Sequence, residues 1–181
     1  MSDATSRRVR FEPLEKHHDR AAFSCAKHAS LDLFLKTQAL QQGKKMYSAT
    51  YVLVSEENPD TIIGYYSLSS TSVLLDRMPA SLAGRLPRFP NIPATLLARL
   101  AVDHRFQREG NGSQLLIDAL MRSYISGKQI GSAAVIVDAI DDDARLFYAK
   151  YGFAAFEDEP HQLYLTMPAV ETLLKRVGMV A

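Results

Sequence analysis

The segment from Thr95 to Val137 constrains the fold more than any other. Thr95–Val102 (Thr-Leu-Leu-Ala-Arg-Leu-Ala-Val) is a nearly continuous apolar run that stops at Asp103, as expected of a central strand covered on both faces. A glycine-bearing loop follows at once. From Ser113 the apolar residues Leu115, Leu116, Ala119, Leu120 and Ile125 recur at helical spacing up to Gly127, and Ala133–Val137 reads as a second buried strand. Two buried strands joined through a helix form a βαβ crossover, which commits the chain to an α/β fold with helices packed on a sheet.

The flanking pattern fits that frame. Val9–Leu14 starts a strand, and Leu31, Phe34, Leu35 and Ala39 mark one amphipathic helix running to Lys44 and Lys45. Ala49–Val54 and Thr61–Leu75, separated by a polar turn with Pro59, read as a β-hairpin. Four prolines (Pro79, Pro87, Pro90 and Pro93) and Gly84 make Met78–Pro93 a loop with one short helical turn at Ala80–Ala83. Asp141–Tyr151 is a helix with acids in its first turn and Gly152 at its end. Phe153–Phe156 and Gln162–Met167 supply the last strands, and Pro168 at the first helical position opens a terminal helix.

At 181 residues the chain is long enough to bury one core, so a single domain spanning 1–181 is expected. It has no apolar run of the roughly 18 residues that a membrane-spanning helix needs, and its first ten residues are polar and basic, so a soluble cytoplasmic protein is expected. The lone Cys25 excludes an internal disulfide and paired-cysteine zinc spacing. His17 and His18 are adjacent while His28, His104 and His161 are scattered, so no metal site is expected. The net charge is only +1, but it is unevenly spread. Six arginines (Arg77, Arg85, Arg88, Arg99, Arg105 and Arg108) face one acid, Asp103, between Arg77 and Arg108, which makes that stretch a candidate anion-binding surface.

The chemistry centres on Gln107-Arg108-Glu109-Gly110-Asn111-Gly112, between the buried strand and the helix. Glycines at 110 and 112 let backbone N–H groups and a helix N-terminus surround an anion such as a diphosphate, with Arg105 and Arg108 adding charge. An ordinary glycine-containing connection has the same letters. No Lys-Ser/Thr pair follows and the first glycine of a dinucleotide fingerprint is missing, so ATP-binding and NAD-binding loops fit poorly.

Leu97-Ala98-Arg99-Leu100-Ala101-Val102-Asp103, then Gln107-x-x-Gly110-x-Gly112, then Ala144-x-x-Phe147-Tyr148-x-x-Tyr151-Gly152-Phe153 together resemble the GNAT acetyltransferase superfamily. Leu31-Asp32-x-Phe34-Leu35, Gly64-Tyr65-Tyr66-Ser67-Leu68-Ser69 and Ile92-Pro93-x-x-Leu96-Leu97-Ala98-Arg99 further resemble the toxins of type II toxin–antitoxin modules that acetylate aminoacyl-tRNA. The matches run from about residue 25 to 165. The resemblance implies the GNAT fold, a mixed sheet of six to seven strands with helices on both faces. It also implies acetyl-CoA as cofactor, with Leu100, Ala101 and Val102 on its pantetheine arm and Gln107, Arg108, Glu109, Gly110, Asn111, Gly112 and Ser113 around its diphosphate. Glu109 departs from the family pattern, and its carboxylate suits the loop only if it points away from the phosphate.

By the same resemblance Tyr148 is the acid that protonates the departing thiolate, and the backbone amide near Leu100 is the oxyanion donor. From the residues alone Phe147, Tyr148 and Tyr151 read better as core aromatics. A dedicated base is unnecessary, since an α-amine with a pKa near 8 is partly neutral at physiological pH. If the acceptor is aminoacyl-tRNA, Arg77, Arg85, Arg88 and Arg99, helped by Lys36, Lys44 and Lys45, are its phosphate contacts. Strand alternation sends Arg99 inward beside the acetyl site. The resemblance also implies a ribbon-helix-helix antitoxin as partner, and it admits a homodimer with no interface fixed by the pattern. Two other readings stand beside this one: a GNAT enzyme for a small amine or a protein N-terminus, and a non-catalytic module that binds coenzyme A or nucleic acid.

Overall fold

In the computed structural model, residues 7–181 are described. Seven strands form one mixed sheet in the order β1-β2-β3-β4-β5-β7-β6: β1 (Val9–Pro13), β2 (Ala49–Ser55), β3 (Ile62–Leu74), β4 (Asn91–Val102), β5 (Ala134–Asp138), β6 (Ala154–Ala155) and β7 (Gln162–Thr166). β4 and β5 are parallel; β1–β2, β5–β7 and β6–β7 are antiparallel. The helices are α1 (Ala29–Thr37), α2 (Ala39–Lys44), α3 (Ala80–Ala83), α4 (Asn111–Ile130), α5 (Asp142–Ala149) and α6 (Met167–Arg176). Among the described residues no helix is long and apolar enough to cross a membrane.

The chain forms two compact units. The first takes the described part of Met1–Ser67 together with Arg99–Leu116. Its core gathers Phe23, Cys25, Phe34, Leu35, Ala39, Val52, Val54, Ile62, Tyr65 and Ala101, each side chain of Leu or Phe size contributing about 1.5–3 kcal/mol on burial. The single helix expected from Leu31 to Lys45 is instead two, broken at Gln38. At Gln38 the backbone departs from helical φ (−118°), although its N–H still donates to the Phe34 carbonyl at 2.9 Å.

The second unit takes Leu68–Ala98 and Ile117–Ala181, around Val73, Met78, Ala94, Ala134, Ile136, Phe156 and Tyr164. β4 begins at Asn91, not Thr95, and runs through Pro93. Proline has no N–H to give, but its carbonyl accepts from the Ala133 N–H at 2.8 Å and its φ suits a strand. α4 passes Gly127 and ends at Ile130, because Gly131 (φ 82°) takes the left-handed position that closes a helix and returns its N–H to the Gly127 carbonyl. α5 starts one residue later than expected: Asp141 is its N-cap and accepts from the Ala144 N–H at 2.8 Å. Its helical residues end at Ala149, before Tyr151, and Gly152 follows at φ 93°. In α6 Met167 is first, so Pro168 falls at the second helical position.

Candidate active site

The parallel ladder joins Thr95–Leu97 of β4 to Val135–Val137 of β5, and β4 then continues for five more residues, Ala98–Val102. A strand that outruns its ladder keeps backbone N–H and C=O groups on that edge for another extended chain. The end of the strand is fixed within the first unit. Asp103, fully buried, accepts the Ser24 N–H (3.1 Å), the Arg105 N–H (3.0 Å) and two bonds from the Arg105 guanidinium (2.8 and 3.0 Å). Gln107 Nε2 bridges the Cys25 and Val102 carbonyls at 3.1 Å each. Asp32 holds the same neighbouring segment through the Cys25 N–H (2.8 Å) and the Ser24 hydroxyl (3.0 Å).

Beyond this clamp the loop turns sharply into α4. Arg108 has φ 63° and Gly110 φ 80°. A left-handed arginine costs about 1 kcal/mol or more, and such strain concentrates where a loop must present its backbone. A Cβ built on Gly110 would meet nothing within 4 Å, so no neighbouring group fills the space at that position. The dipole of the twenty-residue α4 adds partial positive charge at its start. Asn111 is buried and donates to the Phe106 carbonyl at 2.8 Å, fixing the start of the helix. Glu109 sends its carboxylate to Arg7 (3.4 Å) and lies 3.5 Å from the Asn111 amide, so its charge is balanced by a neighbour. The turn therefore has the features of a diphosphate cradle. Arg105, expected to share in binding, is committed to Asp103 instead.

The clamp has a stability signature. Burial pushes the Asp103 carboxyl up, but the Arg105 side chain and amide and the Ser24 amide outweigh it, so its pKa is lowered. A lowered pKa contributes stability that is full above the unfolded value of about 3.9 and is lost as pH falls through the folded value. Asp103→Asn is expected to cost about 1–2 kcal/mol at pH 7, because an amide N–H2 would face donors. In urea melts the gap to the wild type should narrow as pH falls below the unfolded value of about 3.9.

Within the second unit, Tyr148 sits on α5, packed against Phe147 (ring centroids 5.3 Å) and Phe153 (5.5 Å). The residue is buried, and desolvation raises its pKa well above the ordinary phenol range. Its backbone carbonyl accepts the Tyr151 and Phe153 N–H groups where the chain turns at Gly152. Its hydroxyl has no hydrogen-bond partner among the described residues, so its O–H is uncommitted.

The model of the acetyltransferase (GNAT) domain matches residues 19–167, most of the chain. The chain belongs to the GNAT acetyltransferase family. Two related proteins are "Probable toxin TacT" of Sinorhizobium fredii, 30% identical over 90% of this chain and 93% of that one, and "tRNA-acetylating toxin" of Mycobacterium tuberculosis, 34% identical over 80% and 84%. Among solved structures, "AtaT complexed with acetyl-methionyl-tRNAfMet" superposes with a TM-score of 0.84 at 25% identity, over 92% of this chain and 99% of that one.

The cations expected to serve this GNAT chain as substrate contacts fall into different classes. Arg77 is occupied within its own unit: it makes two bonds to Asp158 (2.9 and 3.1 Å) and one to Gln162 (2.8 Å), and lies 4.5 Å over Phe156. Charge counting could not separate it from Arg85 and Arg88, which are exposed and form no ion pair among the described residues. Arg99 is half-buried, stacked 3.8 Å over Phe34. Phe34 stacks in turn on Tyr65, whose hydroxyl donates to the Leu31 carbonyl at 2.7 Å. Lys36, Lys44 and Lys45 are exposed on α1 and at the end of α2, with Lys45 6.0 Å over the Tyr47 ring. Sequence reasoning missed Phe34 under Arg99, Arg7 beside Glu109, and the Ser24–Cys25 segment.

One cluster has metal-like composition. Glu12, His17 and His18 converge within 4.8 Å. His18 Nδ1 accepts the Glu15 N–H (2.9 Å), which puts the proton on Nε2, and Nε2 donates it to Glu12 (2.7 Å). With both nitrogens in use the buried imidazole has no lone pair for an ion.

Proposed function

We propose that the chain is an acetyl-CoA-dependent N-acetyltransferase that acetylates the α-amino group of aminoacyl-tRNA, and that it blocks translation as the toxin of a toxin–antitoxin pair. The observation that carries the reading is β4's five-residue extension past its ladder, leading through a buried Asp103 clamp into a left-handed turn at the start of a twenty-residue helix. The names of the related proteins supply the acceptor class.

Acetyl-CoA supplies an acetyl group activated as a thioester. In this reading the free edge of Leu100, Ala101 and Val102 pairs with an extended amide arm, and the Leu100 N–H donates to the carbonyl oxygen as it gains charge. Gln107 holds the strand end, while Arg108, the backbone of Glu109 and Gly110, and the α4 start at Asn111, Gly112 and Ser113 hold the diphosphate. Tyr148 donates its proton to sulfur as the C–S bond breaks and the N–C bond forms; the amine proton leaves to water, and the phenol is reprotonated from solvent. Residues 1–181 form one catalytic domain in this reading, with the cytoplasm as its place of action and a ribbon-helix-helix repressor as its antitoxin.

Incubation with acetyl-CoA and charged tRNA should yield N-acetyl-aminoacyl-tRNA, and absence of transfer to any charged tRNA would remove the reading. Reversing both free arginines, Arg85→Glu with Arg88→Glu, should raise KM for charged tRNA about tenfold or more, and that KM should rise less steeply with salt than in the wild type. The KM for acetyl-CoA should not move. An unchanged KM for tRNA would favour a small amine or a protein N-terminus as acceptor.

A further inference from the structure

The connection from α3 to β4 carries, beside the two arginines already assigned to tRNA, an aromatic side chain that the proposed reaction does not use. Phe89 is 60% exposed, with Arg88 beside it and Arg85 four residues earlier, both exposed. Among the described residues the Phe89 ring makes no aromatic or cation contact, and neither guanidinium has an ion pair. The ring is not on a floppy tether. Pro87 and Pro90 each fix φ, the Pro90 carbonyl accepts the Leu75 N–H at 3.0 Å, and the Arg85 N–H donates to the Leu82 carbonyl at 2.9 Å. Leu86, the other large apolar side chain of the segment, packs on the core of its unit.

An exposed aromatic ring that follows two unpaired cations in one short segment matches the two halves of a nucleotide. A π-face can stack a base of any sequence, and guanidinium groups nearby can hold its phosphates. The two cations beside the ring favour a polyanionic partner over an apolar one. Pro90 also lines an open cavity of about 790 Å³ with Leu74, Met78, Pro79 and Ala83. Asp76, Arg77 and Glu157 line it too, and the Arg77 fork is already filled by Asp158 and Gln162, so the cavity offers little to a phosphate.

We infer that Phe89 is a stacking platform for an unpaired base of the RNA acceptor, with Arg85 and Arg88 holding the flanking phosphates. The inference rests on RNA being the acceptor. Arg77 takes no part, since its fork is filled by Asp158 and Gln162.

The sequence contains no tryptophan, so Phe89→Trp places a single indole on the loop. A short single-stranded oligoribonucleotide should quench that indole saturably, while a blunt RNA duplex of the same length and inorganic pyrophosphate should not. In steady state Phe89→Ala should raise KM for charged tRNA about tenfold, with kcat within about twofold and KM for acetyl-CoA unchanged. Phe89→Trp should keep the wild-type KM. An indole indifferent to single-stranded RNA, an indole moved by an antitoxin but not by RNA, or a Phe89→Ala protein with wild-type KM would each overturn the platform. The two readings fail separately. Wild-type protein that acetylates no charged tRNA sinks the acceptor reading even if the indole is quenched, and active protein with a silent indole sinks the platform alone.

Discussion

Tyr148→Phe should lower kcat for acetyl transfer by about 10²- to 10³-fold while leaving the fold intact, because it deletes one O–H and keeps the ring that packs on Phe147 and Phe153. Thermal unfolding should shift by no more than about 2 °C, since the lost hydroxyl has no partner among the described residues. KM for acetyl-CoA should stay within about threefold, because the phenol acts on the departing sulfur and not on the diphosphate. The pH profile gives a second readout. Burial disfavours the phenolate and pushes the Tyr148 pKa upward, so the wild-type rate should rise as the acceptor amine loses its proton near pH 8 and show no falling limb from Tyr148 below about pH 10. A Tyr148→Phe protein within threefold of wild-type kcat would leave the residue as a core aromatic.

The features that were legible in the sequence are those written in local periodicity. The apolar run before Asp103, the glycines after it and the helical spacing from Leu115 describe a βαβ unit with a turn at its centre, and the structure has that unit at nearly those residues. What could not be read depends on partners far along the chain. Asp103 looks like any strand-ending acid until the Ser24 N–H, 79 residues away, is found on its carboxylate. Six arginines look alike in a charge count. Arg77 is neutralised by Asp158, Arg105 by Asp103, and Arg99 is laid flat on Phe34, which leaves Arg85, Arg88 and Arg108 with no side-chain partner among the described residues. Boundary errors had the same origin: the Pro93 carbonyl and the choice between Gly127 and Gly131 are settled by single hydrogen bonds that propensity does not encode.

Gly64→Ala carries the largest expected loss of stability for a single methyl group. Gly64 is a buried position in β3 without a left-handed φ, so alanine would ordinarily stabilise a strand there by restricting the unfolded chain. Space decides otherwise. A Cβ on Gly64 would lie 2.6 Å from Leu115 Cδ1, 2.9 Å from the Ala101 carbonyl oxygen and 3.5 Å from Val102 Cα. Leu115 is fully buried, which limits how far the end of its side chain can swing, and the Ala101 oxygen is backbone, which cannot yield without moving β4. The expected cost is about 2–3 kcal/mol, read as a lower urea midpoint with an unchanged m-value. Because the displaced atoms belong to the strand and helix that would hold acetyl-CoA, its KM should rise while Tyr148 chemistry on bound substrate is spared. A second substitution separates the two clashes. Leu115→Ala alone should cost about 2–5 kcal/mol, but in the Gly64→Ala background it removes the nearer contact, so the double variant should be more stable than the two losses summed. The remaining deficit belongs to the Ala101 carbonyl, which no side-chain change relieves. Strict additivity would mean that β3 tolerates a side chain at this position and that the close approach of the strands does not set the cofactor edge.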